Sequence, residues 1–227
     1  MTITALNSGP NFTRLSDFPW FPDDPNMNIM AIRAHAQNNS RATDVGEVLR
    51  ALTGLKSGDG EGWHNRFRNL AEAVRAQAEK AEKENHLVTA RQSYLRASTY
   101  FRMSTTFIER GARTRAMYGQ QLECFTRFAA LSDPPIERVQ IPYDGITMNG
   151  WYMPPKKKTG PKNAAYIYCS GEAGACEGTI QTSPTEAVER GLGVLLCDGP
   201  GSGATLMIHG VISRANEATD LRRNAAS

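Results

Sequence analysis

The chain has 227 residues, 40% of them hydrophobic and 22% charged, with a formal net charge of +3. That composition is ordinary for a globular protein and excludes collagen-like, low-complexity and wholly disordered chains. The longest apolar runs, such as Gly193 to Cys197, fall far short of the roughly 20 residues that cross a bilayer. The N-terminal MTITALNSGPNF has no basic region followed by an apolar stretch, so no secretory leader and a cytoplasmic location are expected.

Cys124, Cys169, Cys176 and Cys197 match neither a disulfide framework nor a paired C-x-x-C zinc site and read as reduced, mostly buried thiols. His35, His64, His86 and His209 include no i, i+3 or i, i+4 pair, so no metal is expected, and no cofactor. From Trp63 to Tyr118, 11 Lys and Arg face 5 Glu, but these charges alternate with apolar positions along helical stretches. They read as a solvated face, not as a nucleic-acid surface.

Residues 1–60 carry little periodicity. FPWFPDDP from Phe18 and GLKSGDGEG from Gly54 are loops by composition, with room for one or two short helices between Asn26 and Leu52. From Trp63 the pattern changes: Trp63, Phe67, Leu70, Val74, Ala78 and Ala81 mark one face of a helix. Leu87, Ala90, Tyr94, Ala97 and Phe101 mark a second, and the KENH break at Lys83–His86 makes the two an antiparallel hairpin. A third helix is expected over Arg115–Ala130, stopped by Asp133-Pro134-Pro135. His64 and His86 fall near helix ends, where surface or capping roles are common.

The apolar period then switches from about 3.6 to 2. Ile136–Ile141 and Ile146–Met153 form a hairpin about the turn Pro142–Gly145, and Ala164–Cys169 reads as a buried strand. Ser183-Pro184-Thr185-Glu186 starts a helix that ends at Gly191, and Leu192–Asp198 is the next buried strand. Strand, loop, helix, strand is a βαβ crossover and begins a largely parallel sheet. The expected fold class is α/β: irregular and short helical structure over 1–60, a helical lid over 61–133, and a partial α/β core over 134–227.

The helical stretch from Gly62-Trp63 through RASTYFRMS, the hairpin IPYDGITMNGWYMPP, the loop after AAYIYC and DGPGSG at Asp198–Gly203 together resemble the lidded α/β-hydrolases. Within them the chain is similar, over roughly residues 60–205, to the group containing dihydroxypseudooxynicotine hydrolase and the fungal polyketide-shortening hydrolases of pigment pathways. That resemblance implies hydrolysis of an ester, or of a C–C bond beside a carbonyl in a β-dicarbonyl or polyketide-like substrate, through a serine acyl-enzyme. It implies that Ser170, Gly171, Glu172 and Ala173 form the oxyanion-hole loop, and that Trp63, Tyr94, Tyr100 and Phe101 line a substrate pocket, with core packing the favoured reading for these four. Ala204 departs from the acidic residue common at that corner.

The sequence contains no G-x-S-x-G nucleophile elbow, so the serine, acid and histidine would lie beyond Ser227, and little or no activity is expected of this chain alone. One rival is internal. Gly174-Ala175-Cys176-Glu177-Gly178 fits G-x-C-x-G, which makes Cys176 an alternative nucleophile, although a strand does not immediately precede it. Gly199–Gly203 lacks the Gly-Lys-Ser/Thr ending of a phosphate loop, and the single helical hairpin is too short for a peptide-binding repeat stack. The remaining alternative is a non-catalytic binding or regulatory fragment that pairs with a full-length relative. An unpaired edge on the fourth strand would then drive that pairing or self-association. The expected partner is a small-molecule carbonyl substrate, not nucleic acid or membrane.

Overall fold

In the computed structural model, residues 20–157, 164–171, 174–181 and 184–213 are described. Helices α1 (Pro25–Ala36) and α2 (Val45–Leu52) each start behind an aspartate. The Asp24 carboxylate accepts the Met27 N–H and that of Asp44 accepts the Glu47 N–H, each satisfying a donor that has no partner inside the helix. Asp59 does the same for Gly62 at the start of α3 (Gly60–Lys83). α4 spans Leu87–Ser104, and the αα turn between them is closed by Asn85 in the left-handed region, at φ 60°. α5 (Ala112–Ala130) begins three residues before the periodicity predicts, because the Thr114 side chain closes its first turn by hydrogen bonding back to Gly111.

The spacing places Trp63, Phe67, Val74, Ala78 and Ala81 inward, and all five are buried; Leu70 is half-buried. On α4, Ala90, Tyr94, Ala97 and Phe101 are buried but Leu87 is 44% exposed, since it opens the helix before the hairpin partner covers it. His64 is a further correction. It is buried and its Nδ1 lies 2.8 Å from the Ser104 carbonyl oxygen, tying α3 to the end of α4, whereas His86 is exposed at the α4 N-cap. The arginines of this region make ion pairs: Arg75 with Glu79 and Glu123, Arg96 with Glu47, Arg113 with Glu61.

The sheet has strands β1 (Glu137–Tyr143), β2 (Ile146–Met153), β3 (Ala165–Cys169) and β4 (Gly193–Cys197), in the order β1-β2-β4-β3. β1 and β2 are joined by a two-residue turn with Asp144 at φ 43° and Gly145 at φ 78°, the geometry that matches strand twist. Helix α6 (Pro184–Glu189) carries the chain between the parallel strands β3 and β4; the expected cap Ser183 lies outside the described residues.

Two expectations fail here. β4 is not an edge: it pairs with β2 antiparallel on one side and with β3 on the other, so only one of the three pairings is parallel. Among the described residues the outer strands are β1 and β3, and β3 is not buried. Tyr166 and Tyr168 pack on the core while Ala165, Ile167 and Cys169 are exposed on the other face. A continuous apolar run does not reveal which strand the crossover leaves outermost.

One core runs through the molecule. Trp63 and Phe67 belong to the same buried cluster as Trp151, Val194 and Leu196, and Phe125 on α5 meets Trp151 with ring centroids 4.9 Å apart. The opposite sheet face carries a smaller cluster of Ile141, Tyr143, Met148 and Cys197. All four cysteines are free thiols, as expected; Cys124, Cys176 and Cys197 are buried and Cys169 is exposed.

Candidate active site

The loops that leave the C-terminal ends of β3 and β4 meet below α5. In open α/β sheets this is the end where ligands bind, because the strand-end loops and the helix N-termini there can be shaped without disturbing the core. Gly203 N–H donates to the Gly174 carbonyl and joins the two loops directly.

Asp198, at the end of β4, is fully buried and organises this junction. Its Oδ1 accepts the Cys176 N–H at 2.8 Å and the Ser170 hydroxyl at 3.3 Å, and its Oδ2 accepts the Ala204 N–H at 2.9 Å. One carboxylate thus caps both the 3-10 turn Cys176–Gln181 and the short helix α7 (Gly203–Met207). Burial pushes its pKa up, although the two backbone N–H donors oppose this. Gly203 has to be glycine: it sits at φ 45°, and a Cβ there would lie 2.0 Å from Asp198 Oδ1. Ser202 completes the floor, with its Oγ 2.7 Å from Ser170 Oγ and accepting the Gly199 N–H. DGPGSG is therefore a turn whose residues hold two loops together.

Glu177 is the second buried carboxylate. Its Oε1 accepts from Asn149 Nδ2 at 2.6 Å and Trp151 Nε1 at 2.9 Å, both on β2, and its Oε2 accepts from Gln121 of α5 at 3.3 Å. Arg138 holds the other end of Asn149 at 3.0 Å. Burial first, and then the charge of Asp198, raise the Glu177 pKa well above its ordinary value.

Between α5 and the two loops lies a cavity of about 40 Å³, bordered by Tyr118, Gln121, Arg102, Gly174, Ala175 and Gly203. The Tyr118 ring packs on Ala175 and Ala204, yet its buried hydroxyl has no hydrogen-bond partner among the described residues. Burial, Glu177 and Asp198 hold that hydroxyl protonated, so it is a donor waiting for an acceptor. Arg102 gives one guanidinium nitrogen to Gln37 Oε1 at 3.1 Å, and its Nε has no partner among the described residues. Burial lowers its pKa to about 10, which still leaves it cationic at neutral pH.

Of the residues read from sequence, Ser170 lies in this junction, but its N–H is taken by the Cys197 carbonyl and its hydroxyl by Asp198 and Ser202. Gly171 is exposed beside it; Glu172 and Ala173 lie outside the described residues. Trp63, Tyr100 and Phe101 are at most 1% exposed in the core. Trp63 Nε1 donates to the Met103 carbonyl at 2.8 Å, and the Tyr100 hydroxyl accepts from the Asp44 N–H and donates to Glu47. The Tyr94 hydroxyl donates to Glu82, away from the loops.

Cys176 is fully buried; burial, Glu177 and Asp198 all raise its pKa, the reverse of what activates a thiol nucleophile. Among the described residues no strand leads into it, and His209, the histidine nearest in sequence, is exposed. Tyr118, Arg102 and Glu177 were not singled out from sequence. Their one signal is a polar residue at a position where helical or strand spacing demands an apolar one, as at Tyr118 and Gln121 on the buried face of α5.

The chain is 34% identical over 172 residues to the α/β-hydrolase xenA of Xenoacremonium sinensis, covering 74% of this chain and 40% of that protein. It is 31% identical to the α/β-hydrolase gkaG of Penicillium citrinum, over 85% of this chain and 46% of the relative. The crystal structure of 2,6-dihydroxy-pseudo-oxynicotine hydrolase superposes with a TM-score of 0.62 at 21% identity, over 74% of this chain and 46% of that one. The chain belongs to the α/β-hydrolases. No family model matches it. It spans less than half the length of these relatives, and its helices and four-stranded sheet have the fold of the corresponding part of the solved hydrolase. In this α/β-hydrolase chain the strand-end junction, with its unpartnered Tyr118 and Arg102 donors, is the place suited to holding an anionic or carbonyl oxygen.

Proposed function

We propose that this chain forms the helical cap and the carbonyl-binding corner of a hydrolase that cleaves an ester, or a C–C bond beside a carbonyl, by way of a serine acyl-enzyme. The observation that carries this reading is the cavity between α5 and the loops after β3 and β4, lined by Tyr118 and Arg102, whose hydroxyl and Nε have no acceptor among the described residues. Attack on a carbonyl moves negative charge onto its oxygen, and donors already in place stabilise that charge without reorganising. The loop that begins at Ser170 is the further donor source in this reading, through N–H groups after Ser170, whose own N–H is held by the Cys197 carbonyl. The attacking serine with its histidine and acid would come from outside these 227 residues, since the sequence has no G-x-S-x-G elbow.

The test is hydrolysis of a short activated ester and of a β-diketone by the purified chain. The expected outcome is turnover close to the uncatalysed rate. Efficient turnover abolished by Cys176→Ser would place the chemistry at that thiol and overturn the reading. A second reading, a non-catalytic fragment that pairs with a longer relative, is favoured by the open edge of β3 and predicts co-purification with that relative.

A further inference from the structure

At the other end of the sheet lies a second cavity, of about 180 Å³. Its position follows from strand register: Met153 at the end of β2 pairs with Val194 at the start of β4, so the cavity opens where the parallel strands begin, and the candidate active site where they end. The floor is Leu95 of α4, Phe128 of α5, Ile136, Met153, Ile180 and Val188 of α6. Each of these is at most 8% exposed, so the cavity is built into the core and is not a surface dimple. Its walls come from helices, sheet and crossover together, all within the described residues.

The rim is cationic. Arg41 and Arg91 both border the mouth, and the side chain of neither has a hydrogen-bond or ion-pair partner among the described residues. Lys156 is there too, but its ammonium is paired with Glu189, which removes both from the balance. Asp133 contributes one negative charge against the two guanidinium groups. An apolar pocket with surplus positive charge at its mouth matches a molecule with an apolar body and a single anionic end. A guanidinium pair suits a carboxylate in particular, because its planar N–H groups meet two oxygens at once. An apolar cavity of roughly 150 Å³ takes a benzene molecule, so this one holds roughly six to eight carbons.

We propose that this cavity is a binding site for a medium-chain carboxylate, its alkyl chain on the Leu95–Phe128–Val188 floor and its head group held by Arg41 and Arg91.

Octanoate is the probe, titrated into the full chain by calorimetry. Saturable 1:1 binding is expected, with a dissociation constant on the order of 0.1 mM. Each methylene removed from the probe weakens binding by about fourfold, and 1-octanol, which lacks the charge, binds at least about tenfold more weakly. Arg41→Gln, at an exposed position, and Arg91→Gln, at a half-buried one, each cost about tenfold in octanoate affinity, with the melting temperature of each variant as the control for folding. Val188→Phe fills the cavity and abolishes binding; if it fails to fold, the chain-length series and the two arginine variants decide alone. Absence of saturable binding at millimolar octanoate overturns the proposal. So does equal affinity for the alcohol, or affinity unchanged in both arginine variants.

Discussion

Glu177 is a carboxylate in the interior, where only hydrogen bonds from Asn149, Trp151 and Gln121 replace the water it has lost. Because burial raises its pKa above the ordinary 4.5, the folded chain holds a proton that the unfolded chain has already released. Its contribution to stability is therefore greatest at and below the unfolded value and falls as pH rises from there toward neutrality. Each unit by which the pKa is raised corresponds to about 1.4 kcal/mol. Asp198, shifted upward as well, adds to the same slope. Glu177→Gln keeps an acceptor for Trp151 but removes the titration, so its denaturant stability is expected to fall less than the wild type's between pH 5 and pH 8. Parallel slopes in the two proteins would show that Glu177 does not titrate as its burial requires.

β3 is the element whose character depends most on its neighbours. It hydrogen bonds to β4 along one side and, among the described residues, has no strand on the other, with Ile167 45% exposed on the face that Cys169 shares. An unpaired strand beside exposed apolar surface is a template for pairing with another chain. The purified protein is accordingly expected to self-associate through β3, and Ile167→Lys, a charge at an exposed position, to reduce the apparent mass in light scattering without lowering the melting temperature. A monodisperse wild-type monomer would remove the basis for both statements.

For the whole molecule the decisive feature is the single core that joins the helices to the sheet, with Phe125 on Trp151 at the contact and Glu177 bound from both sides. The apolar period changes at about residue 133, between the helical segment and the α/β segment. Their shared core predicts that they unfold together: helical circular dichroism and tryptophan fluorescence should report coincident thermal transitions. Two separated transitions would mean that the helices hold a core of their own.

The local elements are legible in the amino-acid order alone. Helix spacing from Trp63 to Phe101, the Asp144-Gly145 turn and the Pro184 helix start each depend on residues close in the chain, and all appear where that chemistry places them. The motifs between Gly62 and Gly203 also carry the resemblance to the family. Three-dimensional packing settles that β3 lies outermost and β4 inside, that His64 and Leu87 exchange their expected environments, and that Tyr118, Arg102 and Glu177 meet the strand-end loops. These depend on contacts between residues tens of positions apart, as with Gln121 and Glu177 or Tyr118 and Ala175. Periodicity records which face of an element is apolar; it carries no record of what that face will meet.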